Sequence, residues 1–190
     1  MTLNRSTFHR INLFRANFHI ETHRIHLLKH LRLIFPIKLV RLTVDTHSAA
    51  ANSSPAQHQF TIAGIPLPDD VHHPATSDDQ ISTALGFTCH LMVLLSKYLD
   101  LPMRSKIVCK FSRSAIIDEG REDDKSAAVV YPLFRERGVV DREQLDHGLV
   151  LLTRNCDDLL RRRQVEFGVE WNILAKLDRL ISSLIDTKEF

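Results

Sequence analysis

Asp78-Asp79-Gln80-Ile81-Ser82-Thr83-Ala84-Leu85-Gly86-Phe87-Thr88-Cys89-His90-Leu91-Met92-Val93-Leu94-Leu95-Ser96-Lys97-Tyr98-Leu99 is the stretch on which the fold of this chain turns. Ile81, Ala84, Leu85, Leu91, Met92, Leu95, Tyr98 and Leu99 recur at the three-four spacing that lines one side of an α-helix. Asp78 or Asp79 suits the N-cap, where a carboxylate accepts from unpaired backbone N–H groups, so the helix interior is expected over 80–99. Pro102 forbids continuation, because proline has no N–H and its ring clashes with the preceding turn. The apolar face is wide, which places this helix at the centre of the fold.

Upstream, residues 60–65 alternate as a half-buried strand that Pro66 and Pro68 end, and 39–44 is β-prone. Between them, 47–57 is small and polar and reads as a loop. Residues 69–78 form an acidic, proline-containing loop that carries His72 and His73. Downstream, 107–111 and 114–117 are short β-prone runs, followed by an acidic patch of Asp118, Glu119, Glu122, Asp123 and Asp124. Residues 129–134 read as a strand that Pro132 confines to an edge or an end. A helix over 144–163 draws its core face from Leu145, Leu149, Leu152, Cys156, Leu159 and Leu160. A last helix over 171–185 uses Ile173, Leu174, Leu177, Leu180, Ile181 and Leu184. Pairs of strands alternating with helices make the core α+β, with two β-α units visible and room for a third.

The composition of the 190 residues, 44% hydrophobic and 25% charged, is that of a globular chain able to bury one core. No run approaches the ~20 apolar residues of a membrane span. Three widely spaced cysteines, Cys89, Cys109 and Cys156, do not suggest a disulfide framework and fit a reducing compartment.

The net charge of +2 hides an asymmetry. Residues 1–45 hold Arg5, Arg10, Arg15, Arg24, Lys29, Arg32, Lys38 and Arg41 against Glu21 and Asp45, a balance of +6, while the remainder is acidic. Five histidines also fall there: His9, His19, His23, His26 and His30. Three readings compete for this segment. Ile11, Phe14, Phe18, Ile25 and Leu28 follow the three-four spacing of a coiled-coil seam, interrupted at Glu21, on a helix reaching residue 35. Residues 1–20 also resemble an acid-free, amphipathic mitochondrial presequence. A basic arm for nucleic acid or a membrane surface is the third. The seam is favoured, because apolar residues continue past Glu21 to Leu33, Ile34 and Phe35.

Catalytic and metal motifs are not found. His72 and His73 are adjacent with no further ligand at suitable spacing, and Cys89 and His90 lie about 100° apart on a helix, too far around it for a nucleophile–base pair. The patch at 118–124 lacks the alternation and turn glycine of a calcium loop. Ser112-Arg113-Ser114 reads as a turn, and Arg161-Arg162-Arg163 as cations meeting a helix C-terminus. Gly-rich phosphate loops and the common nucleophile signatures do not occur. Cofactors, a small-molecule substrate and enzyme activity are therefore not expected. Tyr131, Phe134 and Trp171 are candidate membrane-contacting aromatics that read first as core or strand-end packing.

Several segments in sequence resemble the C-terminal region of the UV radiation resistance-associated protein family. They are Phe60-Thr61-Ile62-Ala63-Gly64-Ile65-Pro66-Leu67-Pro68, then Ala84-Leu85-Gly86-Phe87-Thr88-Cys89-His90-Leu91 and Ser96-Lys97-Tyr98-Leu99. Leu101-Pro102-Met103-Arg104, Ser112-Arg113-Ser114 with Ile116 and Asp118, Tyr131-Pro132-Leu133 and Gly148-Leu149-Val150-Leu151-Leu152 follow in the family's order. Ile34-Phe35-Pro36-Ile37 resembles the exit of the family's coiled coil. The resemblance covers about residues 25–160, and its colinear order carries it. It implies a coiled-coil-type helix over 1–35 followed over 36–190 by a Beclin-like β-α repeated scaffold domain. It also implies a non-catalytic subunit of the class III phosphatidylinositol 3-kinase complex, acting in autophagy and endosomal sorting. The implied partners are Beclin through the coiled coil, the lipid kinase and its kinase-like scaffold subunit, SNARE proteins and an endosomal or autophagic membrane surface, with no nucleic acid. Ile11, Phe14, Phe18, Ile25 and Leu28 would then be the end of the Beclin-facing seam. The chain departs from the family at Ser105-Lys106, where Tyr-Pro is expected, and at Thr153, where Asn is expected; residues 1–24 match nothing in it. The family's C2 domain and most of its coiled coil do not occur in these residues, as expected of a fragment, a truncated gene product or a short form.

Overall fold

A computed structural model describes residues 5–41, 58–74, 76–118, 128–168 and 171–186. Helix α1 (Arg5–Ile34) precedes two successive units of one kind. In the first, β1 (Ile37–Arg41), β2 (His58–Ile62) and β3 (Ile65–Pro66) form an antiparallel sheet in the order β1-β2-β3 that leads into α2 (Asp78–Leu99). In the second, β4 (Lys106–Val108), β5 (Ala115–Asp118) and β6 (Val129–Pro132) form an antiparallel sheet in the order β4-β5-β6 that leads into α3 (Arg142–Arg162). A 3-10 turn at Phe111–Arg113 joins β4 to β5, and α4 (Ile173–Asp186) follows α3. The α+β expectation holds, with two β-α units among the described residues.

Helix α2 sits at the centre because its apolar face runs nearly all round it. Ile81, Ala84, Leu85, Cys89, Leu91, Met92 and Leu95 are fully buried. Each of the larger side chains contributes roughly 1.5–3 kcal/mol by leaving water. Leu145, Leu152, Cys156, Leu159 and Leu160 of α3, with Leu174, Leu177 and Leu180 of α4, complete the same core. Asp100 ends α2 in the left-handed conformation (φ 53°), and the Leu101 N–H returns to the Ser96 carbonyl at 3.0 Å. That closure uses carbonyls the helix leaves unpaired, immediately before Pro102.

Several boundaries differ from the sequence expectation. The N-cap of α2 is Ser77, not Asp78 or Asp79. Asp78 is drawn instead to Arg135 Nε at 2.7 Å and to the Arg137 N–H at 2.9 Å. Burial alone would raise the Asp78 carboxyl, but the Arg137 N–H and the Arg135 guanidinium outweigh it and hold the group below the ordinary carboxylate value. Residues 60–65 are a hairpin and not one strand: Ala63 (φ 49°) and Gly64 (φ 81°) turn the chain so that Ile62 pairs with Ile65. Two consecutive positive φ values are the geometry of a tight two-residue hairpin. Strand β4 stops at Val108 because Ser114 Oγ accepts from the Lys110 N–H and donates to the Phe111 carbonyl, which is the expected turn at 112–114. Strand β6 ends at Pro132 and lies at the sheet edge, as that proline requires. Helix α4 begins at Ile173, after Asn172 accepts from the Leu174 N–H at 2.8 Å. The loop at 47–57 and residues 119–124 of the acidic patch lie outside the described residues.

The departure at Ser105 has a structural counterpart. Ser105 is buried; its N–H donates to Asn155 Oδ1 at 3.0 Å and its carbonyl accepts from Asn155 Nδ2 at 2.7 Å. Asn155, two residues beyond Thr153, thus fixes the start of β4 against α3.

Gly86 lets the 3-10 turn lie directly on α2. A Cβ at this position would stand 2.3 Å from the Phe111 carbonyl oxygen, a backbone atom that has no rotamer with which to retreat. Gly86→Ala is therefore expected to destabilise by about 2–3 kcal/mol, although alanine is the better helix former. Urea unfolding of the two proteins checks this; equal midpoints would contradict the contact.

Candidate functional site

The described residues offer no assembled catalytic chemistry. Cys89 is fully buried and burial pushes its thiol far up, while Cys156, equally buried and beside Asp157, is pushed up to about 12. Neither forms a thiolate near neutrality, as a nucleophile must. His90 is exposed and packs its ring on Phe35 with centroids 5.5 Å apart. His72 contacts Asp146 Oδ1 through Nε2 at 2.6 Å. Among the described residues no three His, Cys, Asp or Glu side chains converge on a metal position. The arginine run is engaged structurally: Arg163 donates to the Leu99 carbonyl at 2.9 Å and Arg161 pairs with Asp158 at 3.2 Å. No described helix is long and apolar enough to cross a membrane. Tyr131 stacks on His147 at 4.2 Å and Phe134 lies under the Arg113 guanidinium, whereas Trp171 is half exposed.

What stands out is α1, whose two halves behave differently. From Glu21 onward the helix docks on its own domain: Leu28, Leu31 and Phe35 are buried, and Phe35 meets Phe87 with ring centroids 6.0 Å apart. Arg24 Nε donates to the Tyr98 carbonyl at 3.0 Å while its other arm pairs with Glu21 at 2.6 Å. Before Glu21, residues 7–20 are exposed throughout. Of the five seam residues, Ile11, Phe14 and Phe18 are 40%, 73% and 63% exposed, and Ile25 is half-buried. Leu28 is 1% exposed and belongs to the chain's own core. At about 100° per residue, Ile11, Phe14, Phe18 and Ile25 share a stripe roughly a quarter turn from the docked face. They remain accessible along a helix whose C-terminal half is anchored.

A second stripe was not singled out in the sequence. Leu13, Ile20, Leu27 and Ile34 recur every seven residues and are all exposed, on the side nearly opposite the first. The strict spacing was a usable signal, but apolar residues on opposing faces conceal each other in any test for a single amphipathic side. Two apolar stripes on a solvent-facing helix exceed what an isolated surface helix carries.

The family model for "Vacuolar sorting 38 and autophagy-related subunit 14" matches residues 9–187, including α1 from residue 9 onward and both β-α units. The chain belongs to this family. It is 33% identical over 100 residues to the UV radiation resistance-associated protein of Mus musculus, covering 53% of this chain and 14% of that protein. It is 26% identical over 166 residues to vacuolar protein sorting-associated protein 38 of Schizosaccharomyces pombe, covering 85% of this chain and 30% of that protein. A similar match, 26% over 114 residues, joins it to the UV radiation resistance-associated gene protein of Drosophila melanogaster, covering 53% of this chain and 16% of that protein. The chain thus spans less than a third of the length of each. The resemblance read from residues 25–160 is a true family relationship, and the family match extends it to both sides.

Proposed function

We propose that this chain is a non-catalytic regulatory subunit of the class III phosphatidylinositol 3-kinase complex, acting in autophagy and in endosomal or vacuolar sorting. The observation that carries the reading is α1 itself: a family helix anchored at one end on a β-α scaffold, with Ile11, Phe14 and Phe18 left in water. Residues 1–35 serve as the end of a coiled coil, and 36–190 as the scaffold that orients it. The partner helix is Beclin's, and through it the chain joins the lipid kinase and its kinase-like scaffold subunit on endosomal or autophagic membranes. The seam used is Ile11, Phe14, Phe18 and Ile25; Leu28, occupied by the chain's own core, marks where the paired segment gives way to the domain.

A nucleic-acid arm draws no support from the family relationship. Arg10, Arg15, Lys29 and Arg32 fall within about 140° of α1, on the side that also carries Ile11, Phe14, Phe18 and Ile25, and Arg24 is spent on Glu21 and Tyr98. Charges flanking an apolar seam are the arrangement by which a coiled coil sets its partner choice. The chain mixed with Beclin, the lipid kinase and the scaffold subunit is expected to co-elute with them in a single stoichiometric peak on size exclusion. Elution as a free chain of 21.8 kDa in the presence of all three would contradict the assignment.

A further inference from the structure

The histidine excess of the N-terminal segment has a geometry that the partner-binding reading leaves unused. His19, His23, His26 and His30 are all exposed, and their spacing of four, three and four residues confines them to one stripe of α1. At about 100° per residue that stripe spans only some 60° of the helix surface. It lies on the side of α1 away from Leu28, Leu31 and Phe35, and apart from Ile11, Phe14 and Phe18.

Residues four apart on a helix bring their side chains together. The rings of His26 and His30 are already in contact, with centroids 4.3 Å apart. A tetrahedral zinc ion bonded at ~2.0–2.1 Å needs two imidazole nitrogens about 3.3 Å apart, within reach of that pair by rotation of the side chains. In the other pair, His23 Nδ1 lies 2.8 Å from the His19 carbonyl oxygen. A carbonyl can only accept, so Nδ1 carries the proton and Nε2 presents its lone pair to solvent. That is the arrangement by which ligating histidines are oriented, the second nitrogen held by a backbone carbonyl.

We propose that α1 carries two adjacent transition-metal sites, His19/His23 and His26/His30, each chelating one divalent ion of the zinc, nickel or copper class. Imidazole suits these metals, and hard oxygen-seeking cations have no ligand here. Among the described residues no third His, Cys, Asp or Glu side chain converges on either pair, so each site has two protein ligands and water in its remaining positions. Each ion clips adjacent turns of the helix together.

The test is calorimetric titration of the full chain, freed of metal by chelation, with zinc chloride alone. His19→Ala/His23→Ala and His26→Ala/His30→Ala are each expected to remove one equivalent, or to weaken it at least ~10-fold, and the fourfold variant to remove both. Alanine at exposed helical positions favours the helix, so loss of binding does not report loss of fold; circular dichroism of each variant verifies this. Zinc bound elsewhere, at Cys109 or His73, is common to all four proteins and subtracts. A fourfold variant that titrates like the parent, or a parent that takes up no zinc, would overturn the proposal.

Discussion

Asp157→Ala is expected to cost about 3–5 kcal/mol, the largest single-residue effect in the fold, because it strands a buried ammonium. Lys176 is 1% exposed, on the inner face of α4 among Leu174, Leu177 and Leu180. Its Nζ lies 2.8 Å from Asp157 Oδ1 on α3, a carboxylate itself 13% exposed, and 5.3 Å from the centre of the Phe167 ring. Both charges have left water, and their mutual attraction offsets a desolvation cost of several kcal/mol per ion. Removing one partner leaves the other uncompensated, whereas replacing both with apolar groups of similar size removes the cost together with the attraction. Asp157→Leu/Lys176→Met is therefore expected to recover most of the loss and to approach the parent protein. Urea midpoints at constant m-value measure it. A loss below about 1 kcal/mol in Asp157→Ala, as for a surface pair, would show that water reaches Lys176.

That pair also shows where the sequence stops being legible. Leu174, Leu177, Leu180 and Ile181 announce the buried face of α4 by their spacing, and all four are buried. Lys176 lies between them in a polar letter, and its partner is 19 residues away on another helix. The same holds for Asn155, whose two hydrogen bonds reach back 50 residues to Ser105. Likewise, Arg135 is buried through bonds to Asp78 and to the carbonyls of Val71, His73 and Thr76. Periodicity reports which side of an element meets the core, but it contains no information about which polar group a tertiary contact will satisfy. Helices α2, α3 and α4 were accordingly readable to within a few residues. The hairpin at Ala63-Gly64 was passed over because the alternation of 60–62 was carried on to Ile65, although Ile62 and Ile65, three residues apart, would face opposite sides of a single strand and instead pair across the turn. In α1 the seam was legible as spacing, whereas its division at Glu21 into an exposed and a docked half depends on where α2 ends, at Tyr98 and Leu99, and so was not.

Phe14→Asp/Phe18→Asp is expected to abolish pairing of α1 with a partner helix, a loss of at least ~100-fold in affinity, without unfolding the domain. Phe14 and Phe18 are 73% and 63% exposed, so their replacement costs the isolated chain little. In a paired helix each phenyl ring would bury against the partner, and each aspartate would carry an unpaired charge into that contact. Two such changes on adjacent turns exceed what the flanking Ile11 and Ile25 contribute. Leu13→Asp/Ile20→Asp, on the opposite stripe, is the matched control: similar exposure and chemistry, but outside the seam. Short helices are barely stable alone in water, so the exposed half of α1 gains most from a partner.

The central claim is tested most directly by capture of the full chain on immobilised Beclin coiled coil, with the parent, Phe14→Asp/Phe18→Asp and Leu13→Asp/Ile20→Asp compared at one concentration. The parent and the control are expected to bind and the phenylalanine variant to pass through. Retention of Phe14→Asp/Phe18→Asp at the level of the parent, or failure of the parent itself to bind, would contradict a role for this helix as the subunit's attachment to the kinase complex.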